Sequence, residues 1–95
     1  MSYTVQHDPD FQRFVAAVDG EEAYVVYEPR GEDQWVMTHT YTPPALRGRK
    51  IAGDVVRTAL ETAREQGRSV VPVCWYVEGF IQRHPEFQDL VADSE

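Results

Sequence analysis

The 95-residue sequence contains a single cysteine, Cys74, so an internal disulfide is impossible and neither a CxxC redox pair nor a cysteine-rich zinc site is available. Long apolar runs are missing as well. None approaches the roughly 18 residues needed to cross a bilayer, and Met1 to Asp10 is polar, without the apolar stretch of a signal peptide. The expectation is a cytoplasmic protein in reducing surroundings, with no membrane partner. Basic residues are scarce, with 9 Lys and Arg against 16 Asp and Glu and a formal charge of -7. Such a balance opposes the phosphate contacts on which nucleic-acid binding depends, so no nucleic-acid partner is expected, whereas a cationic substrate would be attracted. His7, His39 and His84 share no ligand spacing, and no metal is expected. Repeats, linkers and low-complexity stretches are also lacking.

What is present suits one small soluble domain spanning residues 1–95. The 42% hydrophobic and 12% aromatic content is enough to offset ordering entropy around one core, and the length is too short for two. Phe11 to Val18, with apolar residues at Phe14, Ala16 and Val18, runs into the turn dipeptide Asp19-Gly20 and predicts the first arm of a hairpin. Ala23 to Tyr27 is the returning strand, ending at Pro29, Arg30 and Gly31. Gln34 to Tyr41 follows as a third antiparallel strand, alternating Trp35, Met37, His39 and Tyr41 against Val36, Thr38 and Thr40. Pro43-Pro44 ends it, since neither residue has an amide to donate.

The apolar period then changes. Ile51, Ala52, Val55, Val56, Ala59, Leu60 and Ala63 form one stripe on a helix from about Gly48 to Gln66, and Gly67 is placed to stop it. Ser69 to Cys74 is a short, nearly continuous apolar strand. A helix between two strands is a crossover, so this strand lies parallel to Gln34–Tyr41. Val77 to Arg83 reads as a short second helix closed before His84-Pro85, and the tail Ala92 to Glu95 as frayed.

Three of the nine basic residues, Arg47, Arg49 and Lys50, lie within four positions at the start of the long helix. First-turn amides lack intrahelical partners and the helix dipole puts partial positive charge there, so this loop is either an anion site or a solvated run of charge.

Here a resemblance enters. Arg47-Gly48-Arg49-Lys50-Ile51-Ala52 resembles the acetyl-CoA loop of GNAT N-acetyltransferases, [Q/R]-x-x-G-x-[G/A]. His39-Thr40-Tyr41-Thr42-Pro43, Leu46-Arg47-Gly48, Val71-Pro72-Val73-Cys74 and Arg83-His84-Pro85-Glu86 together are similar to a minimal GNAT-like family, over about Phe14 to Val91. The resemblance implies a GNAT-like α+β (α/β) fold: a mixed sheet of about five strands, one long helix after the acetyl-CoA loop and one short C-terminal helix. It implies an acetyl-CoA-dependent acyltransferase that acetylates an amine of a small molecule or a protein, the alternative being a CoA-binding or interaction module that has kept the fold. Arg47, Arg49 and Lys50 would attract the CoA phosphates and the amides from Arg49 to Ala52 would bind them. Thr40, Tyr41 and Thr42 would offer backbone bonds to the pantetheine arm, in a gap between the third antiparallel strand and the Val70 to Cys74 strand, with Tyr76 and Phe80 lining its apolar end.

Lys50 stands where the family pattern has glycine. Lysine keeps the amide donor and can adopt helical backbone, so cofactor binding is expected to persist. Cys74 lies where the family keeps a cysteine beside the thioester; it could be nucleophile, acid to the leaving thiolate, or a buried small hydrophobe. His39 could serve as a base or be structural. His84 reads as an anchor of the chain end. No signature of a particular acceptor or of an oligomeric state is present.

Overall fold

The computed structural model describes residues 3–92. Five strands form one mixed sheet in the order β1 (Val5–Asp8), β2 (Arg13–Val18), β3 (Glu21–Arg30), β4 (Gln34–Tyr41) and β5 (Ser69–Pro72). Strands β1 to β4 form an antiparallel meander, while β5 lies parallel to β4 and is reached through α1 (Ile51–Glu65). A second helix, α2 (Trp75–Arg83), follows; short 3-10 segments precede α1 at Pro44–Leu46 and follow α2 at Pro85–Leu90.

Most of this follows from local chemistry. Asp19 and Gly20 both take positive φ, 53° and 79°, as a two-residue hairpin turn matching the strand twist requires. Gly67, at φ 71°, closes α1: its amide bonds the Arg64 carbonyl (3.1 Å) and the Arg68 amide bonds the Ala63 carbonyl (2.8 Å), capping two of the helix's terminal acceptors. The predicted stripe is buried, from Ile51 through Val55, Val56, Ala59 and Leu60 to Ala63. It packs in one cluster with Phe14, Ala16, Val25, Tyr27, Trp35, Met37 and Val70 from one face of the sheet. Both helices contribute to that cluster, and Val15, Tyr24, Val26 and Val36 of the opposite face remain only half-buried.

Several boundaries differ from expectation. Val5–Asp8, within the polar N-terminal stretch, is a strand that pairs with β2. Strand β2 starts at Arg13, because Pro9 to Gln12 make a turn (Gln12 amide to Pro9 carbonyl, 3.2 Å) that leaves Phe11 73% exposed. Strand β3 continues through Pro29, which sits opposite Trp35. The Tyr27 amide points away from β4 to the Gln12 carbonyl (2.9 Å). Two residues on, the missing amide of Pro29 faces that same side, beyond the end of β2, where no ladder bond is forfeited. Strand β5 stops at Pro72, short of the expected Cys74, and α2 begins at Trp75. At the other end, the Ala92 amide bonds the Val70 carbonyl (2.9 Å), so the expected fraying does not include Ala92; the rest of that tail lies outside the described residues. No helix among the described residues is long and apolar enough to cross a membrane.

Candidate functional site

The site begins with an extra residue in β4. Val26 pairs with His39, but the next residue, Tyr27, pairs with Met37, which leaves Thr38 as a bulge. A bulge breaks the two-residue alternation and turns later side chains over. The expected face of Trp35, Met37, His39 and Tyr41 is therefore split. Trp35 and Met37 point into the core, whereas His39 and Tyr41 lie on the opposite face beside Tyr24, with ring centroids 6.4 and 5.6 Å away. Thr40 takes the core side, and its hydroxyl lies 3.3 Å from the Cys74 sulfur.

Beyond the bulge, β4 and β5 part. The last paired residues are Met37 and Pro72, and one further bond runs from the Cys74 amide to the Met37 carbonyl (2.9 Å) before the chain turns into α2. Cys74 is the residue preceding that helix, 9% exposed. From there to Thr42 the edge of β4 has no strand on its β5 side. The result is a cavity of about 770 Å³, lined by Thr38 to Thr42, Leu46 to Gly48, Lys50 to Ala52 and Val73 to Tyr76. Since His39 and Thr40 both line it, the cavity meets groups from both faces of the sheet.

At the other end of the cavity, α1 starts without a side-chain cap, so its first amides are left for another acceptor. The helix starts at Ile51, later than expected, because Lys50 is left-handed (φ 64°, ψ 15°) and not in right-handed helical backbone. This conformation explains the glycine in the family pattern better than close approach alone, since glycine adopts it without steric cost. The basic residues divide by role. Arg47 donates from Nε to the Thr42 carbonyl (3.0 Å), which fixes the loop and commits one of the three carbonyls expected to face the pantetheine arm. Arg49 does not line the cavity; it pairs with Asp19 on the β2–β3 turn at 3.3 Å. Lys50 does line it.

The remaining candidates separate in the same way. Gly48, Ile51, Ala52, Tyr41 and Thr42 line the cavity, as does Tyr76, whose hydroxyl burial pushes toward a higher pKa. Phe80 does not. It is buried in the core, stacked on the His84 ring at 4.0 Å, and His84 Nδ1 sits 2.8 Å from the Phe80 carbonyl, which fits the anchoring role expected of that histidine. Asp54, in the first turn of α1, accepts a hydrogen bond from the Tyr3 hydroxyl and, with burial, pushes that phenol up to about 12. Four lining residues escaped the sequence reading: Thr38, Leu46, Val73 and Trp75. Leu46 and Val73 stand inside two of the motifs that carry the family resemblance, which was the signal for them, but had no site role there. Trp75 had a signal in its position directly after Cys74; it is 80% exposed.

Comparison with known proteins adds three findings. The family model described as GCN5-related N-acetyl-transferase matches residues 13–90. Protein NATD1 of Danio rerio is 31% identical over 88 residues, covering 90% of this chain and 80% of the relative. Protein NATD1 of Homo sapiens is 30% identical over 83 residues, covering 85% and 74%. In three dimensions, the NMR solution structure of a GCN5-like protein from Staphylococcus aureus superimposes with a TM-score of 0.70 over 97% of this chain and 90% of that one, at 16% identity, a likeness of fold.

Proposed function

Because the chain belongs to the GCN5-related N-acetyltransferase family over residues 13–90, we propose that it transfers an acetyl group from acetyl-CoA to an amine of a small molecule or a protein. One observation carries this reading: the cavity where β4 and β5 part has a basic helix start at one end and the Thr40–Cys74 pair at the other. The residues present fit the cofactor. An open strand edge from Thr38 to Thr42 can pair with a peptide-like arm as an added strand would. The uncapped start of α1, with Lys50 and Arg47 beside it, suits a pyrophosphate. A volume of about 770 Å³ suits a ligand of this class.

When bound, acetyl-CoA supplies the activated acyl carbon. The chain's residues would then manage position and protons. His39, exposed beside Tyr41 on the face of β4 away from the core, would be placed to take the proton that the amine loses. The sulfur that acetyl-CoA would release needs a proton, and the core side of the sheet carries side chains that would give one. Thr40 and Cys74 face that side, and the polar partner of the Cys74 sulfur is the neutral Thr40 hydroxyl. This pairing suits a proton donor, while the place of Cys74 at the start of α2, whose first amides no side chain caps, also suits a nucleophile, and trapping an acetylated Cys74 separates the two.

The test is a thermal shift with CoA and acetyl-CoA, followed by a broad amine screen for thiol release. Stabilisation by both ligands and thiol release with at least one amine are expected. Stabilisation without transfer to any amine would instead make the chain a CoA-binding module.

A further inference from the structure

The acidity of the chain does not extend into the cavity. Asp and Glu number 16 in the sequence, yet among the described residues none of them lines it, and the formally charged side chains there are Arg47 and Lys50. Asp54, in the first turn of α1, is outside the lining and is engaged by the Tyr3 hydroxyl. The cationic substrate expected from the net charge therefore meets no carboxylate where it would react. Each ammonium group brought into the cavity loses water without gaining an ionic partner.

What the cavity does offer is apolar surface. Of the five large apolar side chains left exposed among the described residues, Phe11, Tyr41, Val73, Trp75 and Val91, three line this one cavity: Tyr41, Val73 and Trp75. Val73 (63% exposed) and Trp75 (80%) stand directly on either side of Cys74, whose sulfur turns inward to the Thr40 hydroxyl. Trp75 opens α2, with the Tyr76 ring edge-on at 6.0 Å between centroids. An indole so exposed adds little to the core, and beside a cavity it is a stacking surface for a flat ligand.

We propose that the acceptor is a small aromatic monoamine, its ring seated against Trp75 and Val73, which makes Trp75 the specificity-determining residue of the acceptor end. The inference rests on the acetyl-CoA reading above and deepens it by naming the substrate class. An aromatic ring gains from stacking and from apolar burial, and a single nitrogen brings the least charge into a lining without carboxylates. A polyamine or a lysine-rich segment has the opposite character: several charges and no ring.

The test uses the wild type, Trp75→Ala, Trp75→Phe and Val73→Asp, each saturated with CoA so that no acetyl group is present to transfer. Binding of aniline, phenethylamine, spermidine and a lysine-containing peptide is measured by calorimetry and by the indole N–H signals of Trp35 and Trp75 in proton–nitrogen NMR spectra. The two aromatic amines should bind the wild type about tenfold more tightly than spermidine or the peptide, and should shift the Trp75 signal while that of buried Trp35 stays in place. Trp75→Ala should weaken both aromatic amines about tenfold and Trp75→Phe less than about threefold, with melting temperatures close to the wild type because the side chain is exposed. Val73→Asp, which sets a carboxylate in the lining, should narrow or reverse the preference for the aromatic amines over spermidine. Equal aromatic-amine affinity in wild type and Trp75→Ala, an unshifted preference in Val73→Asp, no binding of either aromatic amine, or tighter binding of spermidine or the peptide by the wild type would each overturn the proposal while leaving the acetyl-CoA reading intact. A wild type that binds no CoA overturns both.

Discussion

Thr40 and Cys74 come from distant parts of the chain and meet only because the bulge turns Thr40 over. Proton delivery to the leaving sulfur predicts a particular pattern. In single-turnover transfer at saturating acetyl-CoA, Cys74→Ser and Cys74→Ala should both be slower by about 10²-fold, the low end for a lost general acid, with CoA affinity nearly unchanged. No acetylated Cys74 should accumulate without acceptor. Trapping that adduct by mass spectrometry would make the thiol a nucleophile instead, and equal rates in all three proteins would leave His39 as the group to test.

At the scale of elements, the bulge at Thr38 bends β4 just where it parts from β5. Deleting Thr38 leaves Met37 facing in and His39 out, because the extra residue is what made two positions oppose one. A regular β3–β4 ladder removes the bend that a bulge imposes, so β4 runs closer to the Val73–Cys74 turn and the gap narrows. The deletion variant should keep or raise its melting temperature, show added amide protection from residue 39 onward, and lose at least tenfold in CoA affinity. Unchanged CoA binding would detach the cavity from the bulge. Elsewhere the elements are tied by side chains: Arg64 forks onto Asp89 through two bonds of 2.9 Å, and Arg57 lies over the Phe80 and Phe87 rings, which fastens the Pro85–Leu90 turn to α1.

Across the whole molecule there is one core, and α1 crosses its centre. Leu60 is fully buried there, so Leu60→Ala should cost about 2 to 5 kcal/mol, a large share of the roughly 5 to 15 kcal/mol available to a domain of this size. Urea denaturation measures this, and a loss under about 1 kcal/mol would show a loosely packed core. Stability should also have a pH plateau. Burial lowers the pKa of His7, whose ring stacks on Phe14 at 4.2 Å and whose Nε2 lies 2.5 Å from the Tyr27 hydroxyl. Its folded value lies below the unfolded 6.5, so its contribution is complete above that pH and is lost as pH falls toward the folded value. Tyr3, raised to about 12, and Tyr27, raised by burial, behave oppositely: their contribution is complete below the ordinary 10.0 and is lost as pH climbs through the folded values. Glu86, lowered first by its own backbone amide, and Asp89, lowered by Arg64, add losses only below about 4.5 and 3.8. Urea midpoints should therefore be flat from about pH 7 to 10 and fall at pH 5.5 and 11.5, with Tyr3→Phe flattening part of the alkaline fall. A midpoint that rises at pH 5.5 would contradict the burial of His7.

The sequence by itself determined the β2 to β4 part of the meander, the Asp19-Gly20 hairpin, the α1 stripe with its stop at Gly67, the parallel return of β5 and the basic loop ahead of α1. Each is written in residues close together in the chain, as a period of two or 3.6 or as a turn residue with one favoured conformation. The strand at Val5–Asp8 was illegible because its pairing with β2, and not its own polar composition, makes it a strand. Pro29 was misleading because its harmlessness depends on where β2 ends. Only the tertiary structure decided the site: which face His39 and Thr40 occupy, that Cys74 meets Thr40, that Arg49 is drawn to Asp19, and that Lys50 is left-handed. A bulge is one unpaired residue whose signature lies in the partner strand, and a side chain's partner is set by which distant element packs beside it. No local pattern encodes either.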